Sequence, residues 1–314
     1  MIPVYIVNGF LDSGKTDFLR YTIDQPYFKT KGKTLLIVCE EGENEYSEDL
    51  LKRNNTIMEH VLDESELTPV NLTIFEKKYD PERVIIEYNG MWNYKEFTLP
   101  ANWAIEQQIT TIDCSSFKLY FTNMKSLLAE QIRNSDLILF NRCDGNDELA
   151  SYKRNVKAIN QKADIVFEDE NGEVDVTLDE DLPYDLKADV IELDSNGFGM
   201  FYIDALDHLD RYIGKKVRFD AMVCKPAEFT GNIFVPGRMV MTCCAQDIQL
   251  MGYACEYDKT DDLKPKSWIN LTAEVTKKFM DAYEGEGPVL KALEVKEIPA
   301  PPKDKQIIDF SNPN

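Results

Sequence analysis

Gly9-Phe10-Leu11-Asp12-Ser13-Gly14-Lys15-Thr16 decides the reading of the first half of this chain. It fits G-x-x-x-x-G-K-[ST] in full. An apolar run at residues 4–7 precedes it and a helix-like segment at 16–22 follows, which is the context the pattern requires. The glycines let the backbone wrap an anion so that several N–H groups point inward. Lys15 can then reach the terminal phosphate oxygens, and the Thr16 hydroxyl can ligate Mg²⁺. The candidate phosphate contacts are Gly9, Asp12, Ser13, Gly14, Lys15, Thr16 and Asp17, which reads as a nucleoside triphosphate site.

Around this loop, short Val/Ile/Leu runs recur at 35–38, 84–86, 109–112, 137–140 and 165–167. Helix-like segments at 117–132 and 149–160 lie between some of them. Continuous apolar runs separated by helices predict an α/β fold with a mostly parallel sheet covered on both faces. Near Glu168 the texture changes, with Glu168-Asp169-Glu170 and Asp179-Glu180-Asp181 forming an acidic, turn-rich connection. After a helix near 201–212, β-like runs follow at 217–224, 234–244, 251–257, 268–276 and 289–298. Short strands at this spacing predict a small β-rich, barrel-like domain, and the proline-containing end from Pro299 reads as an extended tail. The expected domains are therefore 1–175 and 182–314.

Asp and Glu total 56 against 35 Lys and Arg, a net charge of −21. That field repels polyanions, so nucleic acid and anionic membrane surfaces are excluded as expected partners. No run reaches the roughly 20 apolar residues that span a bilayer, so no membrane insertion is expected. The first residues show no basic leader, and seven cysteines, an odd number thinly spread, do not form a secreted disulfide framework. A cytoplasmic protein is expected. With only His60 and His208, a histidine-rich zinc centre is not.

The base can also be read. Asn141-Arg142-Cys143-Asp144 follows the run at 137–140. Asp144 can accept hydrogen bonds from guanine N1 and N2, donors that adenine does not present. Asn141 can meet the purine Hoogsteen edge, and the aliphatic stem of Arg142 can cover the base. The nucleotide is then GTP or GDP.

These residues together resemble the CobW-type GTPases, P-loop proteins of metal handling and cobalamin synthesis, over about residues 1–170. The loop is similar to the family's GFLGSGKT. Val38-Cys39-Glu40-Glu41-Gly42 stands where the family has an NEFG-like segment, matching at Glu40 and Gly42. Ile86-Glu87-Tyr88-Asn89-Gly90 resembles its E-T-x-G element, Thr111-Ile112-Asp113 its next strand end, and Asn141 to Asp144 its NKxD. Lys157 to Ala163 resembles its N-P-x-A helix end, with Gln161 in place of Pro. The resemblance implies slow Mg²⁺-dependent GTP hydrolysis in which Lys15 and Glu87 serve catalysis, Gly90 senses the γ-phosphate, and Thr16, with Glu40, serves the Mg²⁺. It also implies a nucleotide switch for a partner such as a metalloprotein client, and the chain is a candidate homo-oligomer. The family's C-x-C-C metal motif is missing, since from Glu40 to Glu87 there is no cysteine.

The second half resembles the C-terminal domain of uncharacterised permease-associated (YcgQ-type) proteins. The residues that carry this are Gly214-Lys215-Lys216-Val217, Arg238, Thr242-Cys243-Cys244-Ala245 with Asp247, and Trp268. A membrane permease is the partner this resemblance implies, with the chain then serving as an adaptor. For Cys243, Cys244 and Asp247 two readings stand. They form a Zn²⁺ site with Cys224 or Cys255, in a metal-trafficking or metal-sensing protein, or they are small buried hydrophobes in a barrel.

Overall fold

A computed structural model of the chain describes residues 1–42, 45–145, 148–176, 182–229, 231–242 and 248–309. The chain divides into two compact units, Met1–Val176 and Thr177–Asn314.

The first unit is built on β1 (Ile2–Asn8), β2 (Thr34–Val38), β3 (Thr56–His60), β4 (Arg83–Glu87), β5 (Trp103–Asp113), β6 (Leu137–Asn141), β7 (Asp164–Asp169) and β8 (Gly172–Glu173). Helices α1 (Lys15–Asp24), α2 (Glu48–Arg53), α3 (Pro69–Tyr79), α4 (Cys114–Asn123), α5 (Lys125–Arg133) and α6 (Leu149–Ile159) connect them. The sheet order is β3-β2-β4-β1-β5-β6-β7-β8, parallel from β3 to β7. β2 and β4 are buried along their whole length because one core packs on each face of the sheet. The chain reverses direction of winding at β1, and the loops that follow β1, β2, β4, β5 and β6 share one edge of the sheet. Ligands of open α/β sheets bind at such a crevice.

Three local expectations change. Residues 117–132 form two helices, broken at Met124, whose φ of −130° is not helical. Just before the break, Thr122 Oγ1 and Asn123 Nδ2 donate to the carbonyls four residues back, at 2.8 and 2.9 Å, and compete with the helical ladder. Glu168 and Asp169 end β7, which turns into the antiparallel strand β8 rather than opening a linker. β3 and α3 went unpredicted, although Thr68 caps α3, accepting from Asn71 N at 3.3 Å, with Pro69 in its first turn.

The second unit comprises β9 (Ile191–Leu193), α7 (Ser195–Asp207), β10 (Lys216–Cys224), β11 (Ile233–Met241), β12 (Ile248–Met251), β13 (Ala254–Glu256), β14 (Trp268–Met280), β15 (Gly285–Ile298) and β16 (Ile307–Asp309). The order β11-β13-β15-β14-β10 closes on itself because β10 also pairs with β11. A five-stranded barrel results, with β9, β12 and β16 added to it. Its interior is apolar, formed by residues such as Phe219, Phe234, Leu271 and Leu290. The run at 251–257 is two strands, not one. A Cβ at Gly252 would lie 2.8–2.9 Å from Val235, Pro236 and Gly237, so β11 approaches too closely for a regular strand with a side chain there. The expected extended tail includes β16, paired in parallel with β11. Among the described residues no helix is long and apolar enough to cross a membrane.

Candidate nucleotide site

Between β1 and α1 the chain forms a loop with positive φ at Gly9 (143°), Asp12 (60°) and Gly14 (93°). Gly14 has a second requirement, since a Cβ there would stand 2.6 Å from Asn141 Nδ2. α1 begins at Lys15 with no side-chain cap on its N-terminus, so its first N–H groups are offered to the loop's interior.

The Lys15 side chain is buried at the floor of the loop. Its ammonium donates to Gly9 O and Phe10 O, each at 2.8 Å, and pairs with the Glu40 carboxylate. Burial raises the Glu40 pKa above the ordinary carboxylate range, and the Lys15 charge offsets only part of this. Thr16 Oγ1 donates to Glu87 Oε1 at 2.6 Å, and Tyr46 donates its phenol hydrogen to the other oxygen, Glu87 Oε2. Glu87 ends β4, opposite Val7 of β1 and Val38 of β2, which brings its carboxylate to the loop. Gly90 lies beside the loop too, with Gln131 Nε2 donating to its carbonyl at 2.8 Å.

The other side of the loop is held from β5 and β6. Ser13 and Thr111 hydroxyls lie 2.9 Å apart. Asn141 Nδ2 donates to Ser13 O at 2.7 Å, leaving its Oδ1 buried without a partner. Arg142 Nη1 donates to Asp12 O at 2.9 Å and also meets Asp113 Oδ2. Asp144 accepts from Glu170 N at 3.2 Å. Asp17 is half exposed and pairs with Arg20 at 3.4 Å.

A cavity of about 260 Å³ opens over this loop, with Asp12, Gly14, Lys15, Thr16, Glu40, Glu87 and Arg142 in its lining. The donor set fits a magnesium–nucleoside triphosphate. There is an uncapped helix N-terminus, a glycine where no Cβ fits, a buried ammonium, and a hydroxyl beside a carboxylate. The sequence-predicted residues Lys15, Thr16, Glu40 and Glu87 thus meet at one point, while Asn141 and Arg142 brace the loop from the far strand. Tyr46 was not among the expected residues, and no local pattern announces it.

In the second unit, Cys243, Cys244 and Asp247 lie outside the described residues. Their suggested partners flank β11 from opposite sides, Cys224 opposite Val235 and Cys255 opposite Phe234. Two strand spacings, about 10 Å, therefore separate them. Burial pushes both thiols up. Among the described residues no three His, Cys, Asp or Glu side chains are placed to hold one metal ion.

Residues 151–305 match the DUF1980 C-terminal domain. Among curated proteins none matches the chain. Among solved structures, the chain is similar to the hydrogenase maturation factor HypB of Archaeoglobus fulgidus, with 19% identity and a TM-score of 0.41, over 55% of this chain and 82% of that one. It is also similar to the zinc-bound YjiA GTPase of E. coli, with 21% identity and a TM-score of 0.41, over 56% of this chain and 60% of that one. Residues 3–167 match the CobW/HypB/UreG nucleotide-binding domain, and with more than half its length in that match the chain belongs to the CobW/HypB/UreG family of P-loop GTPases.

Proposed function

We propose that the protein binds GTP with Mg²⁺, hydrolyses it slowly, and uses the nucleotide state to control a partner. The observation that carries this is the meeting of Lys15, Thr16, Glu40 and Glu87 at one cavity over a glycine-containing loop. Lys15 and the loop amides would hold the phosphates, Thr16 the Mg²⁺, and Glu87 the attacking water. Bound Mg²⁺ supplies neutralisation of the charge that develops on the phosphoryl oxygens. Asn141 fixes the loop through Ser13, the Arg142 stem would cover the base, and Asp144 would accept its N–H groups.

Both arginines near the phosphate end already have partners, Arg20 with Asp17 and Arg142 with Asp12 and Asp113. Without a guanidinium free to meet developing charge, turnover stays slow until a partner supplies one. Arrival of a triphosphate also sets its oxygens against the Glu40 carboxylate for Lys15. Glu40 therefore experiences the nucleotide directly. We further propose that the two units fold independently, with 1–176 sufficient for nucleotide binding.

The test is base choice measured by calorimetric titration. GTP should bind at least roughly a hundredfold more tightly than ATP, because adenine presents no N–H pair to the Asp144 carboxylate and forfeits those hydrogen bonds. Asp144→Ala should remove most of that preference. Equal binding of the two nucleotides by the wild type defeats the guanine assignment.

A further inference from the structure

Glu87 has two carboxylate oxygens, and the function proposed above uses the side that meets Thr16. The second oxygen accepts a hydrogen bond from Tyr46, 41 residues earlier in the chain. Tyr46 stands two residues before α2, on the connection that leaves β2 and carries Glu40. Its ring is buried in the core that contains Val7, Leu19, Leu36 and Leu50. The phenol therefore cannot swing away without opening that core. Burial, then the adjacent Glu87 charge, holds the phenol far above the usual tyrosine range, so it remains a donor.

A glutamate's terminal torsion is broad and roughly two-fold, so one hydrogen bond leaves its carboxylate free to rock. A second donor on the opposite oxygen removes that freedom. Glu87 is 1% exposed, and water is poorly placed to provide that donor. We propose that Tyr46 is a positioning residue for Glu87: by holding one carboxylate oxygen, it aims the other at Thr16 and the phosphate cavity. This rests on the reading of Glu87 as the group that orients water. It adds a structural consequence, because one short stretch of chain then touches both Lys15, through Glu40, and Glu87, through Tyr46.

Tyr46→Phe removes a single oxygen and keeps the ring in its core. It is to be compared with wild type, Glu87→Gln and the double variant, first by melting without nucleotide and then by GTP turnover. Losing a hydrogen bond to a buried carboxylate should lower Tm by about 5 °C. In the Glu87→Gln background the loss should be about half as large, because a neutral acceptor takes a weaker bond. Equal Tm losses in both backgrounds overturn the inference. In turnover, Tyr46→Phe should lower kcat roughly tenfold with KM unchanged, and should lower it no further when added to Glu87→Gln. An unchanged kcat in Tyr46→Phe beside a lowered one in Glu87→Gln also overturns it, and leaves the role of Glu87 intact. An unchanged kcat in Glu87→Gln with unequal Tm losses has the opposite meaning. It removes Glu87 from catalysis while supporting Tyr46 as the group that holds it.

Discussion

Among the described residues the most deeply buried cation of the first unit is Lys15, at 2% exposure, and that of the second is Arg238, at 3%, yet the two are held in different ways. Lys15 lines a cavity and is held by two loop carbonyls and a carboxylate that a polyanion can displace. Arg238 donates to Lys305 O at 2.7 Å, Ser195 Oγ at 3.2 Å and Asp220 O at 3.4 Å, and lies 5.2 Å from the Trp268 ring. Its acceptors come from the chain before β16, from the first residue of α7 and from β10, so it ties three separate segments together. A buried charge beside an open cavity is exchangeable, whereas one that joins segments is part of the frame. The same contrast holds for the acids. Glu87 faces the nucleotide cavity, while Asp204 of the second unit accepts from Tyr212 at 2.6 Å, and that phenol lies 2.8 Å from Tyr184.

The contrast is broken most directly by exchanging the two cations for alanine. Lys15→Ala should weaken GTP binding by more than about a hundredfold, with calorimetry as the measurement. Arg238→Ala should leave binding untouched and destabilise the second unit by about 3 kcal/mol, seen as a lowered thermal transition. If Arg238→Ala weakens GTP binding as much as Lys15→Ala does, the division into site and frame is wrong.

A smaller effect sharpens how exchangeable Lys15 is. Glu40→Gln removes the competing carboxylate and should tighten GTP binding about threefold to tenfold at pH 8. The sign of the pH dependence follows from the raised Glu40 pKa. Below that pKa Glu40 is protonated and releases Lys15, so the advantage of the glutamine variant should shrink as pH falls and vanish in acid. Folding makes this carboxyl harder to ionise, so its contribution to stability without nucleotide declines as pH rises through the same range. No advantage for the glutamine variant at pH 8 would show that Glu40 does not compete for Lys15.

The smallest expected effect lies in the barrel. Cys255 is fully buried in the apolar interior, and Cys255→Ala should cost about 1–2 kcal/mol of packing, with no change in metal content. Loss of a stoichiometric metal from that variant would instead make Cys255 a ligand.

The sequence exposes some of this geometry because some of it is local. The phosphate loop needs two glycines, a lysine and a threonine within eight residues, so strand, turn and helix can be read together. The parallel sheet was legible where strands are buried on both faces, as at β2 and β4. β3 was not, because Thr56–His60 is an edge strand, mostly half-exposed and mixed in polarity. β12 and β13 read as one strand, since the close backbone approach at Gly252 involves residues about 15 positions away. The Tyr46–Glu87 and Lys15–Glu40 contacts join residues 41 and 25 apart, and no periodicity or spacing rule marks either pair.

The strand order of the first unit has a practical consequence for following the protein at work. The groups assigned to phosphate or base stand at or beyond the carboxyl ends of β1, β2, β4 and β6. The turns that enter β2 and β7 lie at the opposite ends of the strands, and Lys31 and Lys162 are exposed there. Five residues of strand rise about 17 Å, which separates these turns from the nucleotide. A fluorophore or surface tether can therefore be attached at either lysine while leaving the nucleotide site undisturbed.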